Sequence, residues 1–185
     1  MAAAVLKSPA RRAALRGAAM AGLALGLTGC GFALRQAPKF AFESVQVTGL
    51  ENTSMSRALQ QAMLASGIRV VNSSSVAQTA AQTGAPVAPQ VVLHVITDQH
   101  ERVVSGQNES GEVRELTLKA RFRFRLATPA GKYLLEETEL LLERDISFSE
   151  TAALAKAAEE TMMFRDMDGD IVQQVVRRLA AVKSL

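Results

Sequence analysis

Four cations alternate along residues 119–125 (KARFRFR): Lys119, Arg121, Arg123 and Arg125, separated by Ala120, Phe122 and Phe124. A row of cations can recognise phosphate or carboxylate through charge-assisted hydrogen bonds. An acidic ladder follows at Glu137, Glu139, Glu143 and Asp145. Cross-strand pairing would neutralise both rows, each pair contributing about 0.2–1 kcal/mol. In the register that sets Arg123 against Glu137 and Arg121 against Glu139, Lys119 and Arg125 face Leu141 and Leu135 and stay least neutralised. His94 and His100 share one strand parity and stand roughly 20 Å apart, too far to hold one metal ion directly. The run Asp166-Met167-Asp168-Gly169-Asp170 looks like a calcium loop. Counted from Asp166, however, the positions an EF-hand fills with Gly and Glu hold Ile171 and Arg177. No HExxH, cysteine pair, GxSxG or Gly-rich phosphate loop occurs. Neither a metal nor an enzyme activity is expected, and the Met162-Met163-Phe164 cluster reads as core packing.

The one cysteine, Cys30, has no disulfide partner. Residues 1–16 carry Lys7, Arg11, Arg12 and Arg16 and no acid, and residues 17–27 (GAAMAGLALGL) are uncharged. A basic segment followed by a short apolar one has the layout of a secretory signal. The apolar run falls well short of the roughly 20 residues that span a bilayer. Leu27-Thr28-Gly29-Cys30 resembles a bacterial lipobox, which implies cleavage before Cys30, diacylglycerol on its sulfur and an N-acyl chain. Acyl chains anchor at about 0.8 kcal/mol per buried CH₂. The expected organisation is a leader at 1–29, a lipidated tether at 30–39 and a single domain at 40–185. No cofactor beyond the lipid on Cys30 is expected.

The leader changes the charge balance. The chain has 21 Lys+Arg against 18 Asp+Glu, and four of the basic residues but no acid fall in 1–29. The remaining 17 basic and 18 acidic groups nearly cancel, which removes any bulk-charge argument for nucleic acid. The part after the leader is long enough for a core. With no Trp and one Tyr, that core is mostly aliphatic.

Elements must position these groups. Residues 40–48 alternate as a strand with a parity slip near Glu43. Thr53 or Ser54 caps a helix over 54–66 with Leu59, Met63 and Leu64 on its inner face. Gly67 is placed to end that helix, and residues 68–71 make a short strand. Residues 72–90 are uncharged Ala, Ser, Thr and Gln with two prolines, and read as a flexible loop. Residues 91–104 form a strand with Val91, Leu93, Val95 and Thr97 on one side and His94, Asp98, His100 and Arg102 on the other. Residues 113–126 alternate without a break and predict a half-buried strand. Residues 133–146 make the next one. Ser149 caps a final helix over 150–182 whose apolar positions include Leu154, Ala158, Met162, Val172, Val175, Val176 and Leu179, and Gly169 is a place for it to bend. The order β-α-β-β-β-β-α predicts an α+β fold: a mostly antiparallel sheet of four to five strands with both helices on one face.

Cys30-Gly31-Phe32-Ala33-Leu34-Arg35 resembles the C-G-[FW]-x-L-R opening of the lipopolysaccharide-assembly lipoproteins, the LptE or RlpB family. Glu115-Leu116-Thr117-Leu118, the Gly131 turn, Glu143-Arg144, Leu154-Ala155-Lys156 with Glu159-Glu160, and Val176-Arg177-Arg178-Leu179 are similar as well. The resemblance covers roughly residues 31–71 and 91–180. It implies an outer-membrane lipoprotein facing the periplasm that plugs and helps assemble the β-barrel LptD and supports lipopolysaccharide delivery to the outer leaflet. Gly31, where an Asp would signal inner-membrane retention, agrees. The family's basic contacts to lipopolysaccharide carry over to Lys156 at the start of the last helix. At the hairpin tip, Ser105-Gly106-Gln107 has no basic residue, and Arg102 and Arg114 flank it. The candidates for an anionic ligand are therefore Lys156, Arg102, Arg114, Lys119 and Arg125. Two other classes stay open. A lipid-trafficking lipoprotein auxiliary to ABC transport would show an open apolar groove. A lipoprotein hydrolase would hold a nucleophile and base within about 3 Å.

Overall fold

The computed structural model describes residues 38–71 and 88–185; the leader, Cys30, most of the tether and residues 72–87 lie outside the described residues. Strand β4 (Val113–Ala127) shows why the chain folds as it does. Leu116, Leu118, Ala120, Phe122, Phe124 and Leu126 are all buried, and the intervening residues are more exposed. One face of a pleated strand can be apolar only if something covers it. Here the cover is helix α1 (Ser54–Ala65) and helix α2 (Ala153–Ala180), the latter following a 3₁₀ turn at Glu150–Ala152. Leu59 and Met63 of α1 and Met167, Ile171, Val175 and Leu179 of α2 join the strand's apolar side in one core. Each large side chain so buried contributes about 1.5–3 kcal/mol.

The other strands are β1 (Ser44–Gly49), β2 (Arg69–Val71), β3 (Val91–Gln107) and β5 (Tyr133–Ser147). They form one sheet in the order β2-β1-β3-β4-β5. β1 runs parallel to both of its neighbours, while β3, β4 and β5 are antiparallel. The fold is α+β, with a mostly antiparallel sheet and both helices on one face. Helix α1 ends as its sequence requires: Gly67 has a φ of 84°, Gly67 N–H donates to the Leu64 carbonyl and Ile68 N–H to that of Met63. Thr53 holds the N-cap position, but its hydroxyl donates back to the Leu50 carbonyl and caps no helical N–H. Leu64, expected inside, is 55% exposed; Met55 and Ser56 take the inner face with Leu59 and Met63.

Strand β3 departs from its expected parity. Val95 pairs with Phe124 and Thr97 with Arg123, so Ile96 is an extra residue in the ladder. Beyond this bulge every side chain changes face. Thr97 turns away from the helices, while Asp98, His100 and Arg102 lie opposite Phe122, Ala120 and Leu118 on the helix side. His94, opposite Arg125, stays on the uncovered side, so the two histidines are on opposite faces. The bulge sits where β1 ends. Gly49, with a φ of 81°, turns the chain away, and Leu50 N–H donates to the Val95 carbonyl at 3.2 Å.

Two further expectations are corrected. The β4–β5 register is shifted by two residues: Lys119 lies opposite Glu143, Arg121 opposite Leu141 and Arg123 opposite Glu139. Two successive irregularities, between Phe124 and Leu126 and between Leu126 and Ala127, absorb one residue each as the partner moves from Thr138 to Leu135 to Tyr133. Helix α2 is unbroken through Gly169, and its phase is set by Met167, Ile171, Val175 and Leu179. Followed back toward its start, that stripe reaches Lys156 and Glu160, not Leu154, Ala158 and Met162. Leu154 is 91% and Met162 63% exposed. Ser149 starts the preceding 3₁₀ turn without a side-chain cap; its hydroxyl meets that of Thr151. The segment read as a flexible loop ends in a fixed place, since Gln90 N–H donates to Ser44 Oγ at 3.0 Å and Gln90 Oε1 accepts from Glu43 N–H at 2.6 Å.

Candidate functional site: the uncovered sheet face and its cations

With both helices on one side, strand parity puts His94, Lys119, Arg121, Arg123 and Arg125 on the other side, facing away from the core. The acidic row of β5 shares that face. Lys119 Nζ lies 2.7 Å from Glu143, Arg121 3.4 Å from Glu139 and Arg123 3.2 Å from Glu137. The last two pairs run diagonally between neighbouring rungs, since Arg123 faces Glu139 across the ladder. Partly exposed pairs of this kind contribute little to stability each. Their effect is to make a broad, rigid face polar and nearly neutral.

The five candidate cations do not converge. Lys119, expected to be among the least neutralised, has the shortest ion pair on the face. Arg102 lies on the helix side of the bulged strand and reaches Glu160 of α2 at 3.4 Å. Arg114 pairs with Glu112 beside the β3–β4 turn. Lys156 Nζ donates to Ser147 Oγ at 3.0 Å and to Glu159 at 2.8 Å. Arg125 alone of the five has no carboxylate within ion-pair distance among the described residues; its guanidinium lies over the Tyr133 ring at 5.7 Å.

Helix α2 meets the far part of the sheet through polar groups that strand parity did not reveal. His100 Nε2 is 2.6 Å from Asp168 Oδ1, and its ring stacks on Phe164 with centroids 4.5 Å apart. The bond to Asp168 holds the His100 pKa above its ordinary 6.5 despite partial burial. Arg144 reaches Asp170 at 3.5 Å. The Asp-rich run that looked like a calcium loop therefore faces His100 and Arg144. Among the described residues no group of His, Cys, Asp and Glu is arranged to hold a metal ion, and no helix is long and apolar enough to cross a membrane.

A helix-backed sheet that presents one broad charged face defines a class: the two-layer α+β domains. Its particular family follows from the sequence. Residues 42–179 match the family described as LptE, lipopolysaccharide-assembly, and the chain belongs to that family. It is a family of lipoproteins that assemble lipopolysaccharide, not of enzymes. The fold is similar to the solution structure of uncharacterized lipoprotein B from Nitrosomonas europaea, at 29% identity and a TM-score of 0.64, covering 82% of this chain and 91% of that one. It is also similar to rare lipoprotein B from Shewanella oneidensis, at 19% identity and a TM-score of 0.58, covering 75% and 94%. A minor lipoprotein from Acinetobacter baumannii matches at 15% identity and a TM-score of 0.57, covering 77% and 94%. The last two likenesses are of fold alone. No curated protein matches the chain.

Proposed function

We propose that the protein is an outer-membrane lipoprotein, anchored on the periplasmic side through acylated Cys30, that plugs and helps assemble an LptD-type β-barrel and so supports lipopolysaccharide insertion. The observation that carries this reading is the uncovered face of β3, β4 and β5. Barrel lumens are polar and wet. An inserted domain therefore needs a rigid surface of satisfied charges, such as Lys119–Glu143, Arg121–Glu139 and Arg123–Glu137 supply. The leader at 1–29 and the tether at 30–39 would deliver that domain to the membrane surface, with Gly31 in keeping with outer-membrane sorting.

Lipopolysaccharide carries phosphates, and the candidate cations Lys156, Arg102, Arg114 and Lys119 already hold carboxylates. A phosphate would have to displace Glu159 from Lys156 or Glu160 from Arg102. Direct contact at these positions is thus an exchange of ion pairs rather than capture by a free charge. The test of the plug is a photo-crosslinking side chain placed in living cells at Leu141, which is 40% exposed on the uncovered face. The expected product is a crosslink to the barrel. Crosslinks to other envelope proteins, and none to the barrel, would overturn the reading.

A further inference from the structure

Thr48, His94 and Arg125 form one row across β1, β3 and β4 on the uncovered face, since Thr48 pairs with His94 and His94 with Arg125. The row opens on a shallow cavity of about 290 Å³, closed at one end by Thr128, Pro129, Gly131 and Tyr133 of the β4–β5 turn. No carboxylate lines it. Three neighbouring cations of the same row show what ordinary neutralisation looks like here, because Lys119, Arg121 and Arg123 each hold a glutamate. Arg125 does not, and the reason is local. The ladder slips between Phe124 and Leu126, Glu137 turns to Arg123, and Arg125 meets the Tyr133 ring and hydroxyl instead. No acid from elsewhere can fill the gap, because all 18 Asp and Glu lie among the described residues; positions 1–37 and 72–87 contain none.

We infer that this cavity is a binding site for a phosphate group, free or carried as a monoester. The guanidinium presents a planar fork of donors that fits phosphate, held in place by the aromatic ring beneath it. His94 is oriented toward the cavity by the contact between its Nδ1 and Thr48 Oγ1 at 3.0 Å, and the Tyr133 hydroxyl lies 3.5 Å from the guanidinium. The volume is at the low end of small-ligand pockets. It admits a phosphate or a phosphorylated monosaccharide. The exposed Tyr133 ring offers an apolar face to a sugar. The site lies far along β4 from Arg114 and is separate from the Lys156 region. It does not depend on the barrel reading, and failure of a barrel complex would leave it standing.

The test is NMR of the full-length protein in nonionic detergent, titrated with glucose 1-phosphate, inorganic phosphate, glucose, and sodium chloride at matched ionic strength. Glucose 1-phosphate is expected to shift the amides of Val92, His94, Arg125, Ala127 and Tyr133 saturably, with a dissociation constant of about 1 mM or tighter. Arg125→Gln should weaken binding about tenfold or more, Arg125→Lys should fall between, and Arg144→Gln, on the helix side of the sheet and paired with Asp170, should leave it unchanged. Tighter binding of glucose 1-phosphate than of inorganic phosphate would assign a saccharide-borne headgroup, and equal binding would assign free phosphate; either upholds the site. Shifts that chloride reproduces, no saturation, or wild-type binding by Arg125→Gln and Arg125→Lys would overturn it.

Discussion

His100 of β3 and Asp168 of α2 meet at 2.6 Å across the helix–sheet interface, sixty-eight residues apart in sequence. With Arg102–Glu160 and Arg144–Asp170, this contact ties α2 between Glu160 and Asp170 to the part of the sheet that lies beyond the end of β1. That region adds polar bonds to its apolar packing at Leu116, Leu118 and Ile146, where the region around Ile171 and Phe122 is held by apolar packing.

A pH dependence follows. Asp168, with a lesser contribution from Asp98, raises the His100 pKa above 6.5 in the fold. The folded protein therefore binds that proton more tightly than the unfolded chain. The stabilisation is complete below pH 6.5 and is lost as pH rises through the folded pKa. Denaturant unfolding at pH 5.5 and 8.5, compared between wild type and His100→Gln, should show a larger wild-type advantage at the lower pH; an advantage independent of pH would contradict the pairing.

Gly49 tests the junction of β1 with the β3 bulge. A Cβ there would overlap the Val95 carbonyl oxygen and crowd the His94 ring, at a positive φ that side chains avoid. Gly49→Ala should cost about 1–3 kcal/mol in unfolding free energy. A cost near zero would mean that the chain leaves β1 by another path.

Ser56 is fully buried on the inner face of α1, and its hydroxyl has no hydrogen-bond partner among the described residues. An unpaired buried hydroxyl costs about 1–3 kcal/mol, and Ala is the better helix former. Ser56→Ala should raise the midpoint of thermal unfolding; a lower midpoint would show that the hydroxyl is satisfied.

The phase of α2 is testable with two methionines. Met167 is 1% exposed and Met162 63%. Met167→Ala should cost about 2–5 kcal/mol by leaving a cavity, whereas Met162→Gln should change stability by less than about 0.5 kcal/mol. Comparable losses at both would place Met162 in the core.

The sequence showed β4 almost completely, because an unbroken apolar alternation leaves only one face to bury. It showed the end of α1 through Gly67, whose backbone need is specific. It did not show the Ile96 bulge. An inserted residue in a strand of mixed polar and apolar side chains leaves no mark, yet it moves Asp98, His100 and Arg102 to the helix side and decides their partners. The β4–β5 register was hidden for the same reason: two irregularities flanking Leu126 together shift the ladder by two residues, give Lys119 a glutamate and leave Arg125 without one. Leu154 and Met162 misled because apolar residues lie on more than one face of α2, and its phase is set by Met167, Ile171, Val175 and Leu179 against the core.

The central claim is a stable one-to-one complex with a barrel. The direct measurement is affinity purification of the tagged full lipoprotein from outer membranes in mild detergent, with identification and quantification of what accompanies it. A large LptD-type β-barrel in equal amount is the predicted result. Abundant, folded lipoprotein that reproducibly comes away without a barrel would contradict the account.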